Sequence, residues 1–258
     1  MKSLGAGFRY SSYGIGQDPG PDYWLSVGTR MSAKFSGAQP ECIWIVGNFT
    51  GLGTRLSFPV KSNDAYVTSV DVDTNEQALN LFDENGFKVW LQVEPGNADV
   101  EGLIHVVMER YGHHTCVTGF GVDVEWYRSD GSAEGKPITD REAHSWVQAV
   151  RSIHPNMRLF LKHWKTAWLP PTFRDGLLLV DDSQQFDDLS HMVREFSAWG
   201  NHFAPAPVAF QFGYPADKHW WSLFQDPPEM IGKTIQEHVP NASALFWVDF
   251  SMREVFPP

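Results

Sequence analysis

Eight times along this chain a short apolar run is followed by a segment of helical or loop character, and that alternation does most to narrow its fold. Strands joined through helices pair in parallel, with right-handed crossovers. The strands are predicted at Phe8–Gly14, Ile43–Asn48, Lys88–Glu94, Gly119–Trp126, Arg158–Trp164, Leu177–Ser183, Val208–Tyr214 and Ala244–Phe250. Pro21 suits the first turn of a helix over Asp22–Phe35. Thr74 is placed to cap Asn75–Asn85, which Gly86 stops, and Asp99–Tyr111 forms the next helix. Thr139 opens a helix to Ile153 with Glu142 at the capping-box position, and later helices fall at Phe186–Trp199 and Glu229–His238. Pro170 and Pro171 leave the helix after the fifth strand short or absent. The length of 258 residues is close to the roughly 250 of one closed eight-stranded barrel. The expected fold is therefore α/β, a single (β/α)8 TIM barrel over residues 1–258, with the helix after strand five reduced.

Strand parity then selects the residues that face the barrel axis. In the fourth strand Val122 and Val124 share one face, while Gly121, Asp123 and Glu125 share the other. In the third, Val89, Leu91 and Val93 face outward, which turns Trp90, Gln92 and Glu94 inward. The same reading turns Phe160, Lys162 and Trp164 inward, and Gln211 between Phe210 and Phe212. On the last strand it turns Trp247 and Asp249 inward. The sixth strand ends in Asp181-Asp182, and parity leaves open which of the two enters. Acids thus collect at the carboxyl ends of the strands, where barrel enzymes place their sites.

A net charge of −11 argues against nucleic-acid or anionic-membrane partners. No stretch approaches a membrane span, and the amino terminus shows no apolar run of signal-peptide length, so the chain as written reads as cytoplasmic, or as secreted if a leader was trimmed. Cys42 and Cys116 lack metal-ligand spacing and read as buried thiols. His113 and His114 follow a helix and are expected to complement its C-terminus rather than bind a ligand. His163 is expected to point outward.

Several acids without clustered His or Cys suit glycosidic bond cleavage, which needs a protonated carboxyl as general acid and a second group as nucleophile, base or orienter. Glu125 is the candidate acid. Asp123 lies one strand repeat below it, close enough for its charge to favour the protonated form of Glu125. Glu94, from the neighbouring strand, is the candidate second carboxylate. Candidate sugar contacts are Gln92, Trp126, Lys162, Trp164, Asp181, Asp182, Gln211, Tyr214, Trp247 and Asp249, with Trp220 from the aromatic loop after strand seven. The eleven tryptophans are first of all core residues, but those in loops suit the apolar faces of sugar rings.

The run Gly119-Phe120-Gly121-Val122-Asp123-Val124-Glu125 resembles the end of the strand-four signature of family 18 glycoside hydrolases, the chitinase-like enzymes, and family 25 lysozymes carry a comparable Asp-x-Glu. The resemblance implies a barrel glycosidase with Glu125 as acid and Asp123 orienting the substrate acetamido group, and it makes Trp247 the aromatic that closes the sugar subsite. Gly121 stands where that family has a further Asp. The partner implied is a carbohydrate, with no cofactor and no metal, and the oligomeric state stays open. Two other readings remain. One is a divalent-metal lyase or isomerase, with Glu94, Asp123, Glu125 and an Asp of the 181/182 pair holding Mg²⁺ or Mn²⁺ and Lys162 as base. The other is a non-catalytic carbohydrate-binding barrel.

Overall fold

The computed structural model describes residues 3–129 and 134–258. Its elements run in the order β1 (Gly5–Tyr10), α1 (Pro21–Ser32), β2 (Gln39–Phe49), β3 (Thr54–Leu56), β4 (Val67–Ser69), α2 (Glu76–Glu84), β5 (Lys88–Val93) and α3 (Val100–Tyr111). Then come β6 (Val117–Asp123), α4 (Asp140–Ile153), β7 (Arg158–Lys162), β8 (Leu177–Asp181), α5 (Leu189–Phe203), β9 (Val208–Phe212), α6 (Lys218–Trp221), α7 (Pro227–His238), β10 (Ala242–Val248) and α8 (Met252–Val255). The strand order β1-β10-β9-β8-β7-β6-β5-β2, with β1 also paired to β2, makes a closed (β/α)8 barrel. No helix among the described residues is long and apolar enough to cross a membrane.

Local chemistry explains most boundaries. Thr139 and Glu142 form the full capping box of α4, and Asp99, Asp188 and Asp226 each accept a first-turn N–H of α3, α5 and α7. Between β7 and β8 only a 3-10 turn forms, at Thr166–Trp168, as the two prolines require. Thr74 does not cap α2: its hydroxyl donates to the Ser57 carbonyl, and Asp73 accepts the N–H groups of Asn75 and Glu76 instead. The loop before α2 carries two short strands, β3 antiparallel to the end of β2 and β4 parallel to β3.

β1 begins and ends earlier than its apolar pattern suggests, because Gly5 and Gly7 are strand residues. A Cβ on Gly7 would lie 2.0 Å from the backbone oxygen of Glu41, so glycine here permits a close approach of strands.

The chain forms two compact units, one of residues up to Ile43 with Leu179–Pro258, the other Trp44–Leu178. In the second, Trp90 pairs with Gly119, Gln92 with Gly121, Gly121 with Phe160 and Asp123 with Lys162. A Cβ on Gly121 would stand 2.0 Å from Phe160 Cζ, and one on Gly119 would stand 2.5 Å from the Trp90 ring. Trp90 and Phe160 meet edge to face at 5.7 Å. The two glycines thus make room for two large rings in the barrel interior. Val89, Leu91, Val93, Phe120, Val122, Leu159 and Leu161 are all buried on the opposite face.

In the first unit Phe8, Trp247 and Phe212 are register partners on one face. Phe8 lies against Trp24 of α1 at 4.9 Å, so this is the helix-facing side. Phe246, beside Gln211, is on the axis side. The alternation expected for the last strand is therefore out of phase by one residue, and Trp247 faces the helices. Phe246, Trp247 and Phe250 are all large and apolar, so the strand offers no polar contrast from which to read its faces.

Candidate active site

In the Trp44–Leu178 unit, β5, β6 and β7 bring Gln92, Asp123 and Lys162 together. Asp123 is buried, and its Oδ2 receives the Lys162 ammonium at 2.7 Å and the Gln92 amide at 3.3 Å. A buried carboxylate is costly unless paired, and this pair compensates it. β6 ends at Asp123, and Val124–Trp126 form a 3-10 turn. Glu125 is therefore placed by a turn rather than by strand alternation. It is half-buried, and a carboxylate oxygen lies within 4.8 Å of one from Asp123. The result is one fixed, buried acid beside one that solvent can reach.

Trp126 continues the same turn and stacks on Phe49, the last residue of β2, at 4.5 Å and 25°. Both residues are half-exposed, and Trp126 of the stacked pair follows Glu125 in the chain. Trp164 is also half-exposed and stacks on His163 at 4.2 Å. His163 is fully buried; its Nε2 bonds the Glu134 carbonyl at 3.0 Å, and its Nδ1 accepts the Lys165 N–H at 2.8 Å. Both ring nitrogens serve backbone groups. Glu94, just past β5, is buried, and its Oε2 accepts the Phe49 N–H at 2.7 Å. A cleft of about 580 Å³ runs beside Tyr127 and Arg128, just beyond this turn, and reaches Tyr66, Asn97, Arg141 and Trp146.

The other unit holds its own polar cluster. Asp249 follows β10 and is buried; Arg9 pairs with it at 2.5 Å, and Ser11 donates to it through both N–H and hydroxyl. Burial pushes the Asp249 carboxyl up, against the opposing pull of Arg9 and Ser11. The Arg9 guanidinium lies 4.6 Å from the centre of the Phe250 ring and 5.6 Å from that of Tyr13. Tyr13 is 48% and Phe250 39% exposed, so two rings flank a cation at the ends of β1 and β10.

Asp181 pairs in register with Phe210, which stacks on Phe196 of α5. Asp181 therefore faces the helices, and Asp182, one residue on, takes the axis side. Burial pushes Asp181 up to about 8. Gln211 is buried and accepts the Tyr214 hydroxyl at 3.1 Å. Trp220 and Trp221 are buried, with their indole N–H groups on the carbonyls of Phe186 and Tyr214. Trp247 is fully buried and donates to Ser251. The rings that sequence singled out after strand seven thus pack the loop, while Trp126 and Trp164 are half-exposed and Phe49, Tyr13 and Phe250, which were not among the candidate contacts, also meet solvent. Their signal is position alone: each lies at or just past the carboxyl end of a strand.

A divalent cation between Asp123 and Glu125 would compete with the Lys162 ammonium, which already holds Asp123. Elsewhere, Glu76 with His113 and His114, and Asp83 with His114 and Cys116, offer mixed ligand sets.

No family model and no curated protein matches the chain by sequence. Solved structures do share its fold. An endo-1,4-beta-mannanase from Eisenia fetida superposes with a TM-score of 0.59 at 10% identity, over 95% of this chain and 84% of that one. The catalytic domain of the major endoglucanase from Xanthomonas campestris pv. campestris gives 0.51 at 13% identity, over 95% and 85%. A beta-D-glucuronidase from Dictyoglomus thermophilum gives 0.53 at 11% identity, over 95% of this chain and 43% of that one. This chain spans less than half of the glucuronidase's length.

Proposed function

We propose that the whole chain is one catalytic barrel, a glycoside hydrolase acting on an oligo- or polysaccharide. The observation that carries this reading is the solvent-reachable Glu125 carboxyl within 4.8 Å of the buried, lysine-paired Asp123. Glycosidic cleavage needs one carboxyl that can deliver a proton to the leaving oxygen and a second group that acts on the anomeric side or orients the substrate. Glu125 is the general acid. Asp123, held by Lys162 and Gln92, is the orienting group, the division of roles that the likeness to chitinase-like enzymes implies. Phe49 and Trp126 supply the flat apolar surface on which a sugar ring stacks. Glu94 fixes the end of β2 through the Phe49 N–H, so its part is to hold that surface. The shared fold with a mannanase and an endoglucanase supports the same class.

The test is a panel of mannans, glucans and N-acetylglucosamine polymers, with release of reducing ends as the readout. Wild type should cleave at least one, and Glu125→Gln should lower turnover on it by a factor of 10² or more, the scale of a general acid's contribution. No cleavage across the panel, or an unaffected Glu125→Gln enzyme, overturns the proposal.

A further inference from the structure

Away from the candidate active site, α2 and the connection from α3 to β6 carry a cluster of different chemistry. Glu76 opens α2 and Asp83 lies seven residues on, so the two share one helix face two turns apart. His114 comes from the α3–β6 connection and is buried. Its ring turns away from the last carbonyls of α3: Nδ1 lies 2.7 Å from Asp83 Oδ2. Asp83 is itself fixed, its Oδ1 accepting the Cys116 N–H at 2.6 Å and the Thr115 hydroxyl at 3.1 Å. A carboxylate only accepts, so Nδ1 carries the proton between them, and in the neutral ring the lone pair sits on Nε2. Among the described residues, that nitrogen is buried with no hydrogen-bond partner. It stands 3.4 Å from Glu76 Oε1, near enough for an ion pair but without hydrogen-bond geometry. The exposed His113 ring lies against His114 at 4.3 Å, tilted by 35°, and one atom each of Glu76, His113 and His114 lie within 4.8 Å of one another.

A histidine that gives one N–H to a carboxylate and keeps the other nitrogen bare is the arrangement metal sites use to orient a ligand. Zinc bonds of about 2.0–2.1 Å put neighbouring tetrahedral donors about 3.3–3.4 Å apart, the separation seen between His114 and Glu76. Cys116, the remaining soft ligand, donates its thiol to the Leu79 carbonyl at 3.6 Å and lies on the Nδ1 side, so the bare nitrogen looks toward Glu76. Arg110 approaches Glu76 at 3.9 Å, but its closer partner is Asp73 at 2.8 Å. Asp73 and Glu76 share this one guanidinium, and Asp83 adds a further carboxylate beside His114, so the neighbourhood is negative.

We propose that Glu76, His113 and His114 form a three-ligand site for a divalent transition-metal ion of the zinc class, with Asp83 orienting His114 and water completing the coordination on the exposed side. The ion ties α2 to the α3–β6 connection and is independent of the carbohydrate chemistry above.

The experiment titrates tag-free, chelator-treated protein with Co²⁺ and follows its visible d–d absorption, then adds Zn²⁺. Wild type should saturate at one equivalent with the intense bands of a four-coordinate ion, and Zn²⁺ should abolish them. His113→Ala, an exposed change that leaves the fold intact, and Glu76→Gln should each weaken binding at least tenfold. Glu125→Gln should bind Co²⁺ as wild type does, which separates this site from the active-site acids. Zn²⁺ should raise the melting temperature of wild type and not of His113→Ala. Absence of a saturable one-equivalent spectrum overturns the proposal, and so does unchanged binding by both His113→Ala and Glu76→Gln.

Discussion

Lys162 and Asp123 are both nearly sealed from solvent, with side-chain exposures of 4% and 2%, so each relies on the other for charge compensation. Lys162→Met should leave a buried carboxylate without its cation and lower stability by about 3–5 kcal/mol, the usual cost of breaking a buried pair. Denaturant unfolding measures it directly, and a loss below about 1 kcal/mol would mean that water or another group already carries the charge. That both residues face the axis was legible from sequence, because Asp123 and Lys162 sit within regular strands where side chains alternate; their pairing was not, since it depends on the register of two neighbouring strands. Glu125 was placed at the same mouth by an alternation that stops two residues short of it. Its position comes from a 3-10 turn, whose onset no polar–apolar contrast in Val-Asp-Val-Glu-Trp announces. Trp247 was misplaced for the complementary reason, since its strand is aromatic on both faces.

At the scale of elements, most caps and breakers were readable because each acts within four residues: the Thr139–Glu142 box and the paired prolines behave as their chemistry requires, whereas at α2 Asp73 takes the capping place expected of Thr74. Close strand approach was not readable, because it depends on what the neighbouring strand presents. Gly121 shows this. It stands where the chitinase-like pattern carries an acid, and here its missing side chain is the space that Phe160 fills. Gly121→Ala should force Phe160 off its position and cost about 1–3 kcal/mol through overpacking. Phe160→Leu in the same chain should recover part of that loss. Thermal unfolding of the single and double variants decides it: additive losses would show that the glycine serves backbone conformation rather than the ring.

For the whole molecule, eight alternating units were enough to specify the barrel, since their order, hand and number leave one closed arrangement at this length. Its global stability carries a further signature that no pattern of residue types reveals, because it depends on which acids are buried. Burial, opposed by the two Ser183 donors, pushes Asp181 up to about 8, from an ordinary value of 3.8. Between those limits the folded chain holds a proton that the unfolded chain has released. Unfolding then loses that proton, so the stabilising contribution is complete below about pH 4 and falls away as pH rises through about 8. The slope from one such group is at most about 1.4 kcal/mol per pH unit. Asp73 acts in the opposite sense: burial alone would raise it, but donors from Asn75, Tyr111 and Arg110 outweigh burial and hold it low, so its contribution is lost only on acidification. Asp181→Asn keeps an acceptor for Ser183 and removes the titration. The variant should match wild type at or below about pH 4 and exceed it by a growing margin up to about pH 8, with a flatter stability profile between. Urea unfolding across that range is the measurement. Parallel profiles for the two proteins would mean that Asp181 is ionised in the folded barrel and that its charge is balanced by a neighbour.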